Sequence, residues 1–154
     1  FDESGTRVPF VTYLKVNIEP GVSNEIISQV DWLSSLSNLI KQPVNNLDSE
    51  NHLDLLLGKS VKGRNDIILE ATSRTAYRQG DWVLIPPYPG PKMFLTKGIE
   101  TGNSSEFQLY NLADDISQQN NLAEKMPKKR DEMMATFINI VGDAYKKTSR
   151  IKCD

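Results

Sequence analysis

Residues 107–115 read FQLYNLADD and residues 121–124 read NLAE, and this stretch decides the fold of the C-terminal half. Residues 106–111 are rich in strand-forming side chains and predict a strand. The acidic pair Asp114-Asp115 follows at once, which is typical of carboxylates that cap a helical turn. From Pro127, a residue suited to the first helical position, the chain predicts a long helix. One apolar face of that helix carries Met133, Met134, Phe137, Ile138, Val141, Ala144 and Tyr145.

The middle of the chain predicts antiparallel strands. Residues 66–71 form one candidate strand, and residues 75–79 and 82–86 form a hairpin across Gln79-Gly80-Asp81. The proline-rich residues 86–91 cannot sustain a ladder and predict a loop, and residues 93–96 are a candidate short strand. The fold class is therefore α+β, with a small antiparallel sheet of about four strands packed against the C-terminal helix.

The N-terminal third predicts a strand followed by helices. Residues 9–16 are β-rich and predict the strand. Asp31 can cap a helix, and Gly58 is placed to end a short helix over residues 53–57. Residues 1–60 and 61–154 are interpreted as two parts. The apolar positions at helical spacing in the first helix are Trp32, Leu33, Leu36, Leu39 and Ile40.

Composition excludes several classes of function. The 154 residues carry a net charge of -2, with 18 basic and 20 acidic residues, so we expect no nucleic-acid partner. No apolar run reaches the roughly 18 residues of a membrane span. The single histidine, His52, argues against a Ser-His-Asp triad or a multi-histidine metal site. The single cysteine, Cys153, cannot form an internal disulfide. Asn103-Ser104-Ser105 matches the glycosylation acceptor pattern, which only a eukaryotic secretory route would use.

The 107–124 stretch resembles the closing signature of the sulfatase family, L-Y-x-L-x-x-D-x-x-E-x-x-N-L-A. Five further segments follow the order of that family between residue 3 and residue 85. They are ESGTRVPF from residue 3, PGVSNE from residue 20, SQVDWLSSL from residue 28, LDLLLGK from residue 53 and RQGDWVLI from residue 78. The resemblance implies the C-terminal portion of an arylsulfatase-like enzyme that acts on sulfated glycans. Residues 1–60 would then be the end of an alkaline-phosphatase-like α/β catalytic domain, and residues 61–154 the C-terminal subdomain.

The resemblance also implies chemistry that this sequence does not carry. Sulfatases hydrolyse sulfate esters with a formylglycine made from the first residue of a C/S-x-P-S-R motif, and they bind Ca²⁺ through carboxylate and amide oxygens. Neither Thr72-Ser73-Arg74 nor Thr148-Ser149-Arg150 contains that motif. We therefore expect no catalytic or metal-binding residue here. Formylglycine, Ca²⁺ and the sulfated carbohydrate or aryl sulfate site are expected with the N-terminal part of the same enzyme. That enzyme is expected to be periplasmic or secreted.

One segment offers groups that suit a sulfated sugar. Ser73, Arg74, Thr75 and Tyr77 lie where a strand ends and a hairpin begins, so a rigid frame would present them. A guanidinium can pair with sulfate, and hydroxyls and an aromatic face can contact the ring. We predict substrate contact here, with Arg74 the best single candidate. The alternative is that the arginines pair with acids on the surface of the sheet.

Two non-enzymatic interpretations stay open. A glycan-binding module would need an exposed aromatic platform, for which Tyr88 and Tyr77 are candidates. A docking module would show an exposed apolar surface on residues 8–18. Related phosphodiesterases and phosphatases share the parent fold, so phosphate esters are a further alternative to sulfate esters.

Overall fold

A computed structural model of the chain describes residues 6–15, 18–45, 48–71, 74–88, 90–91, 93–95 and 98–142. Its contacts divide the chain into one compact unit within residues 9–65 and a second that contains residues 66–142. No helix in the described ranges has the length and apolar character needed to cross a membrane.

Four antiparallel strands form the main sheet of the second unit, where they lie side by side in the same order as along the chain. These strands are β1 (Asp66–Ala71), β2 (Arg74–Gln79), β3 (Trp82–Ile85) and β6 (Gln108–Asn111). A small separate hairpin joins β4 (Met93–Phe94) to β5 (Ile99–Glu100). Helix α3 (Pro127–Val141) packs on β2 and β3. The predicted α+β class, with a four-stranded antiparallel sheet and a C-terminal helix, is confirmed.

A two-residue turn sets the register of the central hairpin. Gln79 pairs with Trp82, so Gly80 and Asp81 alone form the turn. Gly80 has φ +56°, a left-handed conformation that costs glycine little and that suits the first central position of a type II′ turn. The predicted hairpin is confirmed.

Both faces of the main sheet are covered by apolar side chains. Tyr77, Leu84 and Leu109 lie side by side across β2, β3 and β6 and are completely buried. They pack against Met133 and Phe137 of α3. The opposite face forms a second cluster that consists of Ala76, Val83, Ile85, Tyr88, Tyr110 and Leu112. The period-2 alternation of strand side chains therefore divides the residues between two cores.

The first unit contains α1 (Asp31–Leu39) and the single helical turn α2 (Leu53–Leu56), both close to their predicted positions. The predicted strand at residues 9–16 is wrong over its described part, residues 9–15, which contains no strand. A strand exists only where its backbone groups pair with a neighbour. Residues 7–14 are exposed and form no ladder among the described residues, so strand-forming composition alone does not produce one.

We expect Phe137→Ala to lower the free energy of unfolding of the sheet unit by about 3–5 kcal/mol, because it opens a cavity over the Tyr77–Leu84–Leu109 row. The chain has two tryptophans, Trp32 and Trp82. Urea unfolding followed by the fluorescence of Trp82 in a Trp32→Phe background reports the sheet unit alone. Ile140→Ala, on the same helix but half exposed, is the matched control. Equal losses for the two variants would contradict the packing described.

Candidate functional site

The Asn of the 107–124 signature closes the outer edge of the main sheet. Asn121 Nδ2 donates to the Phe107 carbonyl (2.9 Å), and Asn121 Oδ1 accepts from the backbone N–H groups of Leu109 and Ala123 (3.0 Å each). The Leu122 N–H also donates to the Leu109 carbonyl (2.8 Å). One amide side chain and one peptide group thus replace a neighbouring strand along β6, whose free edge would otherwise expose unpaired backbone groups.

The carboxylates of the signature shape the turn between β6 and α3. Asp115 accepts hydrogen bonds from the backbone N–H groups of Asn120 (2.7 Å) and Gln119 (3.1 Å). These hydrogen bonds hold the pKa of Asp115 below its ordinary value. Asp114 accepts from the side chain of Asn111 (2.8 Å). Asp115 therefore holds the local backbone of this turn, and Asp114 holds the Asn111 side chain. The described residues include no group of three or more His, Cys, Asp or Glu placed to hold a metal ion.

Two of the predicted substrate contacts belong to the interior. Tyr77 is fully buried under α3, and its hydroxyl donates to Asp66 (3.0 Å). Burial and the neighbouring Asp66 carboxylate raise the pKa of Tyr77 above its ordinary value. Thr75 is also buried, and its Oγ1 lies 2.8 Å from the hydroxyl of buried Tyr88. Neither Tyr77 nor Tyr88 offers the exposed platform that the glycan-binding interpretation requires.

Arg74 is half buried at the start of β2 and contacts a loop. Its Nη1 donates to the Thr101 carbonyl (3.1 Å). In the same loop Asn103, only 4% exposed, donates from Nδ2 to the Pro91 carbonyl (2.8 Å). Gly90 lies so close that an added Cβ would come within 2.7 Å of that Nδ2. The predicted contact Ser73 lies outside the described residues, so Arg74 is the one predicted substrate residue of the described chain that is not buried.

An ion pair that the sequence did not reveal anchors α1. Asp31 is fully buried and accepts from Arg64 through Oδ2 to Nε (2.8 Å) and through Oδ1 to Nη2. It also accepts from the backbone N–H groups of Ser28 and Glu50 (2.9 Å each). Burial alone would raise the pKa of Asp31, but the Arg64 guanidinium and these N–H groups outweigh it and hold that pKa below its ordinary value. No local pattern predicts a contact between positions 33 residues apart.

His52 serves this polar cluster as a structural residue. Its backbone N–H donates to Ser35 Oγ (2.9 Å), and its Nε2 lies 3.2 Å from Glu50 Oε2. An open hollow of about 360 Å³ lies beside it, lined mainly by polar residues such as Asp54 and Lys62. Small-molecule sites are usually enclosed and largely apolar, so this hollow does not define a ligand site.

Comparison with known proteins shows which proteins this chain resembles. An N-acetylgalactosamine-6-O-sulfatase of Bacteroides thetaiotaomicron is 35% identical over 130 residues. A solved structure described with the metabolism of multiple glycosaminoglycans by Bacteroides thetaiotaomicron superposes with a TM-score of 0.75 at 31% identity. No protein-family model matches the chain.

The chain matches a C-terminal part of a sulfatase.

The match covers most of this chain but little of either relative. It spans 82% of the chain and 25% of the curated sulfatase, and 80% of the chain and 27% of the solved one. The chain thus spans about a quarter of the length of these sulfatases. The predicted relationship to the sulfatase family is confirmed. In this light the signature residues Asp115 and Asn121 maintain the fold, since every contact described for them is to the local backbone or to neighbouring polar side chains.

We expect Asn121→Ala to lower the free energy of unfolding of the sheet unit by about 1–3 kcal/mol, because it leaves the buried Leu109 N–H without its acceptor. Asn121→Asp keeps an acceptor oxygen for the Leu109 N–H but loses the donor to Phe107. Its free energy of unfolding should therefore lie between those of the wild type and Asn121→Ala. Gln119→Ala, which removes an exposed amide bound to Ser117, is the control. Trp82 fluorescence in urea measures all three, and a result for Asn121→Ala equal to the control would refute the role in closing the edge.

Asp31→Asn should lower the free energy of unfolding of the first unit by about 3 kcal/mol at pH 7, because it removes the buried carboxylate that pairs with Arg64 and leaves only the exposed Glu50 carboxylate near that guanidinium. The folded-state pKa of Asp31 lies below its ordinary 3.8. Its stabilisation is therefore complete above that value and is lost as the pH falls through the folded pKa. Urea unfolding followed by Trp32 in a Trp82→Phe background should show wild-type stability falling at acidic pH. The fall should be smaller in Asp31→Asn, and parallel pH profiles would contradict this assignment.

Proposed function

We propose that this chain is the non-catalytic C-terminal part of an enzyme that hydrolyses sulfate esters on glycans. The observation that carries the proposal is the match over 82% of the chain to an N-acetylgalactosamine-6-O-sulfatase. The second match, to a structure described with glycosaminoglycan metabolism, supports a sulfated amino sugar as the substrate class. On the same grounds we propose a periplasmic or secreted location for the enzyme.

The described residues do not fit the cofactors that the sulfatase resemblance implies. Ca²⁺ takes six to eight oxygen ligands, and Asp114 and Asp115 are already held by Asn111 and by backbone N–H groups. We therefore place Ca²⁺ and formylglycine in the part of the enzyme that the chain does not match. The contribution of this chain is then to complete the fold and to form one wall of the cleft.

Arg74 is the residue proposed to contact the substrate from that wall. Its position at the start of β2 is fixed by the strand ladder, and its hydrogen bond to Thr101 directs the guanidinium towards the loop of residues 101–104. A guanidinium held by one nitrogen can still offer a planar face or further N–H donors to a sulfate oxygen. Thr75 and Tyr77 contribute to this site only by fixing β2 from the interior.

We expect the purified 154-residue chain alone to release no sulfate from N-acetylgalactosamine-6-sulfate. A chimera of the Bacteroides sulfatase, in which this chain replaces the matched 130 residues, should release it. Ion chromatography of sulfate measures both. Turnover by the chain alone, or a folded chimera without turnover on sulfated amino sugars, would contradict the proposal.

The same chimera tests Arg74. Arg74→Ala should raise KM with little change in thermal unfolding if the guanidinium contacts sulfate, since it removes substrate binding. Arg78→Ala, in the same strand with its Nε bound to the exposed Gly80 carbonyl, is the control and should leave KM unchanged. A lower unfolding temperature with unchanged KM would limit Arg74 to holding the loop.

A further inference from the structure

Helix α1 has its polar side turned inward and its apolar side turned outward. Asp31, Ser34, Ser35 and Ser37 are buried. At about 100° per residue, the exposed apolar positions span roughly 120° of the helix surface, the width of an ordinary core-facing stripe. We call this stripe the outer face of α1, and it consists of Trp32, Leu33, Leu36, Leu39 and Ile40, each between 41% and 67% exposed.

The inward side is held by hydrogen bonds, so the helix cannot rotate to bury its leucines. The Ser34 N–H donates to Ser49 Oγ, and Ser34 Oγ donates to the Ser49 carbonyl (2.9 Å each). Ser35 Oγ accepts from the His52 N–H (2.9 Å). Together with the Asp31–Arg64 pair, these contacts fix which side of α1 meets its own unit. The outer face therefore stays exposed as long as these hydrogen bonds of the first unit are formed.

The neighbouring chain extends this apolar surface. The rings of Phe10 and Trp32 lie 5.4 Å apart between centroids. Val11 and Tyr13 beyond Phe10 are more than 80% exposed. No residue of the outer face is charged. Large uncharged surfaces of this kind are typical of permanent interfaces, which resemble a domain core divided in two.

We propose that the outer face of α1 is the docking surface for the part of the sulfatase that this chain does not match. The inference rests on the proposed function, because the occupant is the remaining polypeptide of that enzyme. About three quarters of each relative lies outside the match, which is ample chain to cover the face. The segment named for the docking interpretation, residues 8–18, is exposed over residues 8–15 and adjoins the same face through Phe10.

Leu36→Asp tests the surface at its centre. In the isolated chain Leu36 is half exposed, so we expect Leu36→Asp to leave the unfolding midpoint unchanged and to reduce aggregation. In the chimera the same change should lower the soluble yield several-fold and lower the unfolding temperature, since it buries an unpaired charge. Leu36→Met, which keeps an apolar side chain at this position, should leave the soluble yield and the unfolding temperature of the chimera unchanged. Asn38→Asp, at an exposed position of α1 that is not part of the outer face, is the matched control and should behave as the parent chimera does.

The alternatives give different results. If Leu36→Asp matches Asn38→Asp in the chimera, the proposal is overturned. If the isolated chain is a dimer by native mass spectrometry, Leu36→Asp makes it a monomer and the chimera is unaffected, the face belongs to a second copy and the proposal is likewise overturned. A chimera that folds and responds to Leu36→Asp but releases no sulfate refutes the proposed function and leaves the docking surface intact.

A second measurement covers a chimera that does not accumulate. The chain and the unmatched part of the Bacteroides sulfatase are produced together as separate polypeptides and purified by a tag on the chain. Co-purification that Leu36→Asp abolishes and Asn38→Asp preserves supports the docking surface. Failure to co-purify with Leu36 in place overturns it.

Discussion

Contact between the Tyr77–Leu84–Leu109 row and the Phe137 ring is the interaction on which the rest of the sheet unit depends. Three neighbouring strands each supply one large buried side chain to this row, so none of them can shift register without moving its residue to the other face. The II′ turn at Gly80 and the amide of Asn121 act on strands whose alignment the row has already fixed. The edge closure and the hairpin are therefore secondary to one packing contact.

An ion pair and hydrogen bonds, rather than apolar packing, organise the first unit. Its helix is oriented by the buried Asp31–Arg64 pair and by serine hydroxyls. Buried ion pairs contribute little net stability compared with apolar packing, but losing one partner is costly. Such a pair fixes the orientation of α1 without burying the leucines of the helix within the first unit. The apolar side of α1 therefore stays available for a partner. The two units thus use their hydrophobic residues for different purposes.

The sequence predicts most elements because short-range rules govern them. The Gly80 hairpin, the Pro127 helix start and the strand before Asp114-Asp115 follow from turn chemistry and periodicity. The strand at residues 9–15 fails because pairing is not local. Periodicity also places Trp32, Leu33 and Leu36 correctly on one face of the helix. It does not show which part of the protein, if any, packs on that face.

The candidate site was harder to predict for a related reason. Thr75 and Tyr77 combine hydroxyls with apolar bulk, so the same residue types suit a sugar site and a satisfied core. Packing decides between them: α3 covers the face of β2 on which Tyr77 lies, and the local sequence of β2 does not show that cover. Arg64 carries no signal at all in sequence, because its partner Asp31 lies in a distant helix.

The loop that Asn103 holds has a consequence for producing this protein. The Asn103 amide that an oligosaccharide would modify is the same nitrogen that bonds the Pro91 carbonyl, beneath a glycine too close to admit one further carbon. A glycan on this nitrogen would leave one N–H, but it would have to fit around a side chain that is only 4% exposed, so it would destabilise the loop. In a eukaryotic secretory host, material modified at this position before folding would form the loop less readily, and bacterial expression avoids the conflict.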